Sequence, residues 1–135
     1  MKLTAEMLDT YQVTVDVNGH EYLIDQPKEK GGKGTGASPT DILIAAVAAC
    51  KTMVAKSFLD SKKIEYKRVN TEIDYEFNGP NKSITVSMTV RLEVVGAKVN
   101  DIELRQLQTF VATGCAVANL MDSDKNSIET IVTVS

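Results

Sequence analysis

Two thiols and one imidazole are the obvious nucleophilic side chains in this 135-residue sequence. Cys50 lies inside an apolar stretch that reads as helix. Free cysteine is commonly a small buried hydrophobe, and in that role its thiol is inert and its pKa raised. Chemistry at Cys50 would need a cationic or hydrogen-bonding neighbour. Cys115 follows Thr113-Gly114. With Thr113 as the N-cap it would stand in the first turn of a short helix, where the dipole and free N–H groups favour a thiolate. Local physics thus makes Cys115 the more acidic thiol, and spacing alone does not show that the two cysteines meet. His20 follows a turn glycine and reads as an exposed turn residue. One histidine and no CxxC pair exclude a zinc site, so no metal and no cofactor is expected.

Gly32-x-Gly34-x-x-Ala37 follows a strand and precedes a helix, as a dinucleotide fingerprint would. That fingerprint also needs a parallel, fully buried strand after the helix. The next strand here is half polar and turns into a hairpin. Nor is Gly32-Lys33-Gly34 a P-loop, since no Ser or Thr follows the lysine. With four glycines and three lysines, Pro27 to Ala37 reads as an exposed, mobile loop.

The elements around these residues follow from periodicity. Tyr11, Val13, Val15 and Val17 alternate with polar residues and predict a strand. Asn18-Gly19 then predicts a two-residue hairpin returning through Tyr22 to Asp25. Ser38 is a good N-cap, Pro39 suits the first helical position, and Asp41 sits where a capping-box acid belongs. That helix should run to about Ser61. Its stretch Ile42 to Cys50 is apolar on every face, so it should be buried, and a partner subunit could cover what this small fold cannot. Val69 to Phe77 and Ile84 to Val94 alternate over long spans around Asn78-Gly79-Pro80-Asn81, as in an antiparallel sheet with one wet face. Asp101 to Val111 and Cys115 to Met121 read as helices and Ile128 to Val134 as a last strand. The predicted order β-β-α-β-β-α-α-β is an α+β fold in one domain, 1–135.

Composition narrows the functions. With 43% hydrophobic and 24% charged residues the chain is an ordinary globular protein. A net charge of −3 offers no basic field, so no nucleic-acid partner is expected. Met1 to Thr10 lacks the continuous apolar run of a signal peptide. The apolar run Ile42 to Cys50 is far short of the roughly 18 residues of a membrane helix. The expectation is a cytoplasmic protein without a membrane partner.

The segment Ser38-Pro39-Thr40-Asp41-Ile42-Leu43-Ile44-Ala45-Ala46-Val47-Ala48-Ala49-Cys50 resembles the signature of the OsmC/Ohr family. Gly114-Cys115-Ala116-Val117-Ala118-Asn119-Leu120 resembles its second motif, usually Cys-Pro-Val and a short helix. The strand order matches the family over essentially the whole chain. The resemblance implies an OsmC-like fold, an antiparallel sheet wrapped around a long central cysteine-bearing helix, in an intertwined homodimer with active sites at the subunit interface. It implies thiol-dependent reduction of organic or lipid hydroperoxides in oxidative-stress defence. Cys50 would be the peroxidatic thiol and Cys115 the resolving one, with an apolar substrate pocket and a dithiol reductant. Thr40 and Asp41 would support them. The chain departs from the peroxidase members at three points. Thr40 stands where they carry Glu, with the acid one residue later. No arginine precedes Arg68, which leaves Lys28, Lys30 or Lys33 as substitutes for the arginine that those members bring to the cysteine. Ala116 replaces the proline. The alternative is an OsmC-like protein that binds a small apolar ligand, or senses oxidants, at the dimer interface.

Overall fold

The computed structural model describes all residues, Met1–Ser135, and the chain forms two compact units, Met1–Ala45 and Ala46–Ser135.

The first unit is a three-stranded antiparallel sheet in the order β1 (Leu3–Met7), β2 (Val13–Val17), β3 (His20–Ile24). β2 and β3 pair from Val17↔His20 to Val13↔Ile24, so Asn18-Gly19 is the two-residue turn expected, both residues at positive φ. β1 was not foreseen. It pairs along β2 through Leu3↔Val17 to Met7↔Val13, and all five of its residues are exposed. The glycine-rich segment after β3 is exposed, as expected, yet it is folded around one carboxylate. Asp25, 1% exposed, accepts the N–H groups of Gln26 (2.7 Å), Lys33 (3.2 Å) and Thr35 (3.1 Å) and the Thr35 hydroxyl (2.7 Å). Gly32 owes its identity to this fold and not to a phosphate, because a Cβ there would stand 1.9 Å from the Gln26 carbonyl oxygen.

Helix α1 (Pro39–Ser61) begins as its sequence dictates. The Ser38 hydroxyl accepts the Asp41 N–H (3.3 Å) and donates to the Asp41 carboxylate (2.8 Å). By length and composition alone α1, with a mean hydropathy of 1.8 over 18 residues, is long and apolar enough to cross a membrane. The run Ile42 to Cys50 taken by itself understates this. Its later turns pack in the core of the second unit.

That second unit holds β4 (Arg68–Asn78), β5 (Thr85–Val95), α2 (Asp101–Thr113), α3 (Ala116–Asn119) and β6 (Ser127–Val134). β4 and β5 are antiparallel in full register, Arg68↔Val95 to Asn78↔Thr85. The antiparallel expectation fails at β6, which pairs parallel to β5 from Ser87↔Ser127 to Val94↔Val134. Two helices lie between these strands, and such a crossover brings the chain back to the same end of the sheet, where it can only run parallel. The sheet is therefore mixed, and the fold remains α+β. Val86, Met88, Val90, Leu92 and Val94 line the buried face of β5. The core joins Leu92 and Val94 to Ala55, Phe58 and Leu59 of α1, Leu107 and Val111 of α2, and Val132 of β6. Gln108 locks α2 onto β6: its side chain donates to the Thr130 carbonyl (2.7 Å) and accepts the Val132 N–H (2.8 Å). α2 opens with a full capping box, Asn100 with Glu103.

Candidate active site: a cysteine pair at the end of a helix

The site grows from the way α2 ends. The last four carbonyls of any helix lack intrahelical partners. In α2 each finds one. The Gly114 N–H donates to Phe110 O (2.8 Å), the Lys51 ammonium to Val111 O (3.0 Å) and Ala112 O (3.5 Å), and the Asn119 amide to Thr113 O (3.0 Å). The chain then turns tightly through Gly114. A Cβ there would lie 2.6 Å from Phe110 O and 3.3 Å from a Val54 methyl of α1. Glycine is needed because a Cβ would press on the backbone carbonyl of Phe110, and the tight turn it allows delivers Cys115 to the helix that carries Cys50.

Cys115, not Thr113, caps α3. Its backbone is extended, and its sulfur accepts the Ala118 N–H at 3.3 Å. It is completely buried, whereas Cys50 is half-buried. Both thiols are free, and they lie close enough for each to shift the acidity of the other, so the fold brings together two residues that sequence spacing left apart.

Their acidities run opposite to the sequence expectation. The Val117 N–H lowers the pKa of Cys50. The Cys115 thiol, the Ala116 N–H and the charge of Lys51 add to this and outweigh partial burial. Burial pushes the Cys115 thiol up, and the Ala118 N–H recovers only part of that. The error lay in the cap: with the first residue of α3 at Ala116, the first-turn N–H groups serve the sulfur facing them from α1. Cys50 is thus half-buried with a lowered pKa, where a sealed core thiol would have a raised one.

The cation beside the pair is Lys51, which the sequence reading passed over. Val47, Lys51, Ala55 and Leu59 form one i, i+4 stripe along α1, and all four are 0% exposed. A lysine on an otherwise apolar stripe, next to a cysteine, is the sequence signal that would have found it. Burial pulls its pKa down, against the pull of the Cys115 and Cys50 thiolates. Among the loop lysines, Lys33 is ion-paired with Asp9. Thr40 and Asp41 lie in the first turn of α1, both engaged with the Ser38 hydroxyl. His20 is exposed at the start of β3. A cavity of about 590 Å³ has Lys51, Ala112 and Ala118 on its wall. Asp122, Asp124 and Asn126 also line it, so the cavity is largely polar.

The sequence matches the OsmC-like protein family over residues 32–130, a span that includes both cysteines. This chain belongs to that family. Similar solved structures cover nearly all of the OsmC-like chain. An OsmC-like protein of Mycoplasma pneumoniae is 19% identical, with a TM-score of 0.81 over 98% of this chain and 95% of that one. An organic hydroperoxide resistance protein OsmC of Legionella pneumophila is 18% identical, with a TM-score of 0.74 over 99% and 95%. An OsmC-like protein of unknown function from Vibrio cholerae O1 biovar eltor is 15% identical, with a TM-score of 0.79 over 97% and 96%. At these identities the likeness establishes the OsmC-like fold. No curated protein matches the sequence.

Proposed function

We propose that this OsmC-like protein reduces organic hydroperoxides with Cys50 as the peroxidatic and Cys115 as the resolving thiol. One observation carries the reading: two free, neighbouring thiols, with the more exposed one favoured as thiolate and the buried one disfavoured. A peroxidatic cysteine must be ionised and reachable, and its resolving partner must wait nearby. The Cys50 thiolate attacks one oxygen of the hydroperoxide. The O–O bond breaks, the alkoxide leaves and takes up a proton as an alcohol, and Cys50 becomes a sulfenic acid. The Cys115 sulfur then attacks the Cys50 sulfur. An S–S bond forms, the S–O bond breaks, and water leaves. A dithiol donor supplies two electrons by exchange and restores both thiols. The hydroperoxide resistance protein of Legionella pneumophila, alike in fold, lends this substrate class support.

The protein acts as a homodimer in this reading. Leu43 and Met53 of α1 stay exposed, the latter at 68%, and a second copy would cover such apolar surface. Thr40 and Asp41, both engaged with the Ser38 hydroxyl at the start of α1, are the supporting residues of the pair in this reading. The cytoplasm, which keeps thiols reduced, suits the chemistry.

A second reading, an OsmC-like protein that binds a small apolar ligand or senses oxidants slowly, draws on Thr40 and on the lack of any arginine before Arg68. Stopped-flow oxidation of the reduced protein separates the two. The peroxidase reading expects thiol loss within seconds at micromolar organic hydroperoxide, whereas oxidation no faster than that of a free thiol supports the alternative.

A further inference from the structure

Lys51 is fully buried, yet it belongs to the core only through its stem. Its ammonium reaches across to α2 and donates to Val111 O and Ala112 O, four and three residues before Cys115. Its own chain neighbour is Cys50. One side chain therefore ties both cysteine-bearing segments together. A lysine used only to fill a core would cost less as leucine or methionine, because a buried ammonium loses its hydration and needs compensating partners. Two carbonyls are acceptors without full charge. The groups near it that can carry full negative charge inside the fold are the thiolates of Cys115 and Cys50. Asp122, Asp124 and Lys125 share the cavity wall on which Lys51 stands and come from the loop after α3.

Exposure orders the reduction step. In a Cys50–Cys115 disulfide the half-buried Cys50 sulfur is the one a dithiol can reach. Attack there forms a bond between the donor sulfur and Cys50 and breaks the Cys50–Cys115 bond. The electron pair leaves on the buried Cys115 as a thiolate. The second donor thiol then displaces Cys50, so the donor ends as a disulfide and both cysteines are reduced. A leaving thiolate with no counter-charge would slow this step, because the leaving-group acidity enters the rate.

We propose that Lys51 is the positioning residue of the cysteine pair, clamping the end of α2 to the Cys50 helix and holding the counter-charge for the Cys115 thiolate that leaves when the disulfide is reduced. The role rests on the peroxidase reading for its place in a cycle, but its test does not require a hydroperoxide. Diamide, a thiol oxidant, is used to link Cys50 to Cys115, and reduction by dithiothreitol is followed in wild type, Lys51→Met and Lys51→Gln. Gln keeps a donor for the α2 carbonyls and loses the charge; Met loses both. Both variants are expected to be reduced about tenfold or more slowly near neutral pH, because the leaving Cys115 thiolate has lost its counter-charge. A wild-type rate in Lys51→Gln would assign Lys51 a hydrogen-bonding role alone and overturn the charge role. Wild-type rates in both variants would overturn the proposal entirely.

Should neither variant fold, wild-type protein with 13C-labelled lysine answers the same question by NMR. The Lys51 Cε resonance should titrate at higher pH in the reduced protein than in the diamide-linked one, where neither thiolate exists. Equal midpoints contradict the role. Failure of diamide to link the two cysteines overturns the pair and the role together. A pair that diamide links but organic hydroperoxides do not oxidise sinks the peroxidase reading and leaves the Lys51 result readable.

Discussion

The Val117 N–H is the largest single influence on the acidity of Cys50, although the two residues belong to different helices. Cys115, two positions before Val117, caps the same short helix from inside the core. The division of labour between the thiols follows from this placement. In the variants Cys50→Ser and Cys115→Ser, one thiol remains in each. The Cys50 thiol should react with iodoacetamide at pH 7 at least about tenfold faster than the Cys115 thiol, since thiolate fraction and access both favour it. Faster labelling of Cys115 would reverse the assignment.

Gly114 is the next test. Its Cβ position lies 2.6 Å from Phe110 O, a backbone atom that cannot swing aside. Gly114→Ala should destabilise the fold by about 1–3 kcal/mol in denaturant titration, as overpacking usually does. It should also slow the formation of the Cys50–Cys115 cross-link, because the turn that delivers Cys115 must move. An unchanged midpoint together with an unchanged cross-linking rate would show that the approach is not tight.

Asp25 predicts a pH dependence. Burial works to raise its pKa, but the Thr35 hydroxyl and the N–H groups of Thr35, Gln26 and Lys33 outweigh it and hold the value at about 2, against 3.8 for a free carboxyl. A depressed carboxylate pKa contributes stability that is fully present above the unfolded value and is lost as pH falls through the folded one. Thermal stability should therefore decline between about pH 4 and pH 2, as the native ion is titrated. Asp25→Asn should lower the melting temperature at pH 7 and flatten this decline. An unaltered acid limb in the variant would assign it to other carboxylates.

The core makes a further prediction. Leu107 is fully buried among α1, β5 and β6. Leu107→Ala should cost about 2–5 kcal/mol. A loss under 1 kcal/mol in chemical denaturation would contradict the packing around α2.

Much of this fold was legible because its elements are locally consistent. The i, i+2 alternation of Val86 to Val94 matches the buried face of β5, and Ser38-Pro39-x-Asp41 starts α1 as capping chemistry requires. β1 escaped because its residues are all exposed and leave no buried face to pattern. The parallel pairing of β6 escaped because pairing direction is a property of the connection and not of the strand. At the site, the family signature located both cysteines, whereas their relative acidity was misread. That acidity depends on which sulfur faces the N–H groups of a four-residue helix, a contact 67 positions apart that no local pattern encodes. Lys51 was overlooked because a lysine is ordinarily taken as a solvated residue, even on an apolar stripe.

The central claim is that Cys50 and Cys115 act as one redox pair on organic hydroperoxides. Reduced protein treated with one equivalent of cumene hydroperoxide per chain, then trapped and mapped without reductant, tests it most directly. The account predicts one equivalent of the alcohol and one disulfide joining Cys50 to Cys115 within the same chain. It also predicts a stable Cys50 sulfenic acid in Cys115→Ser and no alcohol above the uncatalysed level in Cys50→Ser. Unconsumed hydroperoxide with both thiols intact in the folded protein would contradict it.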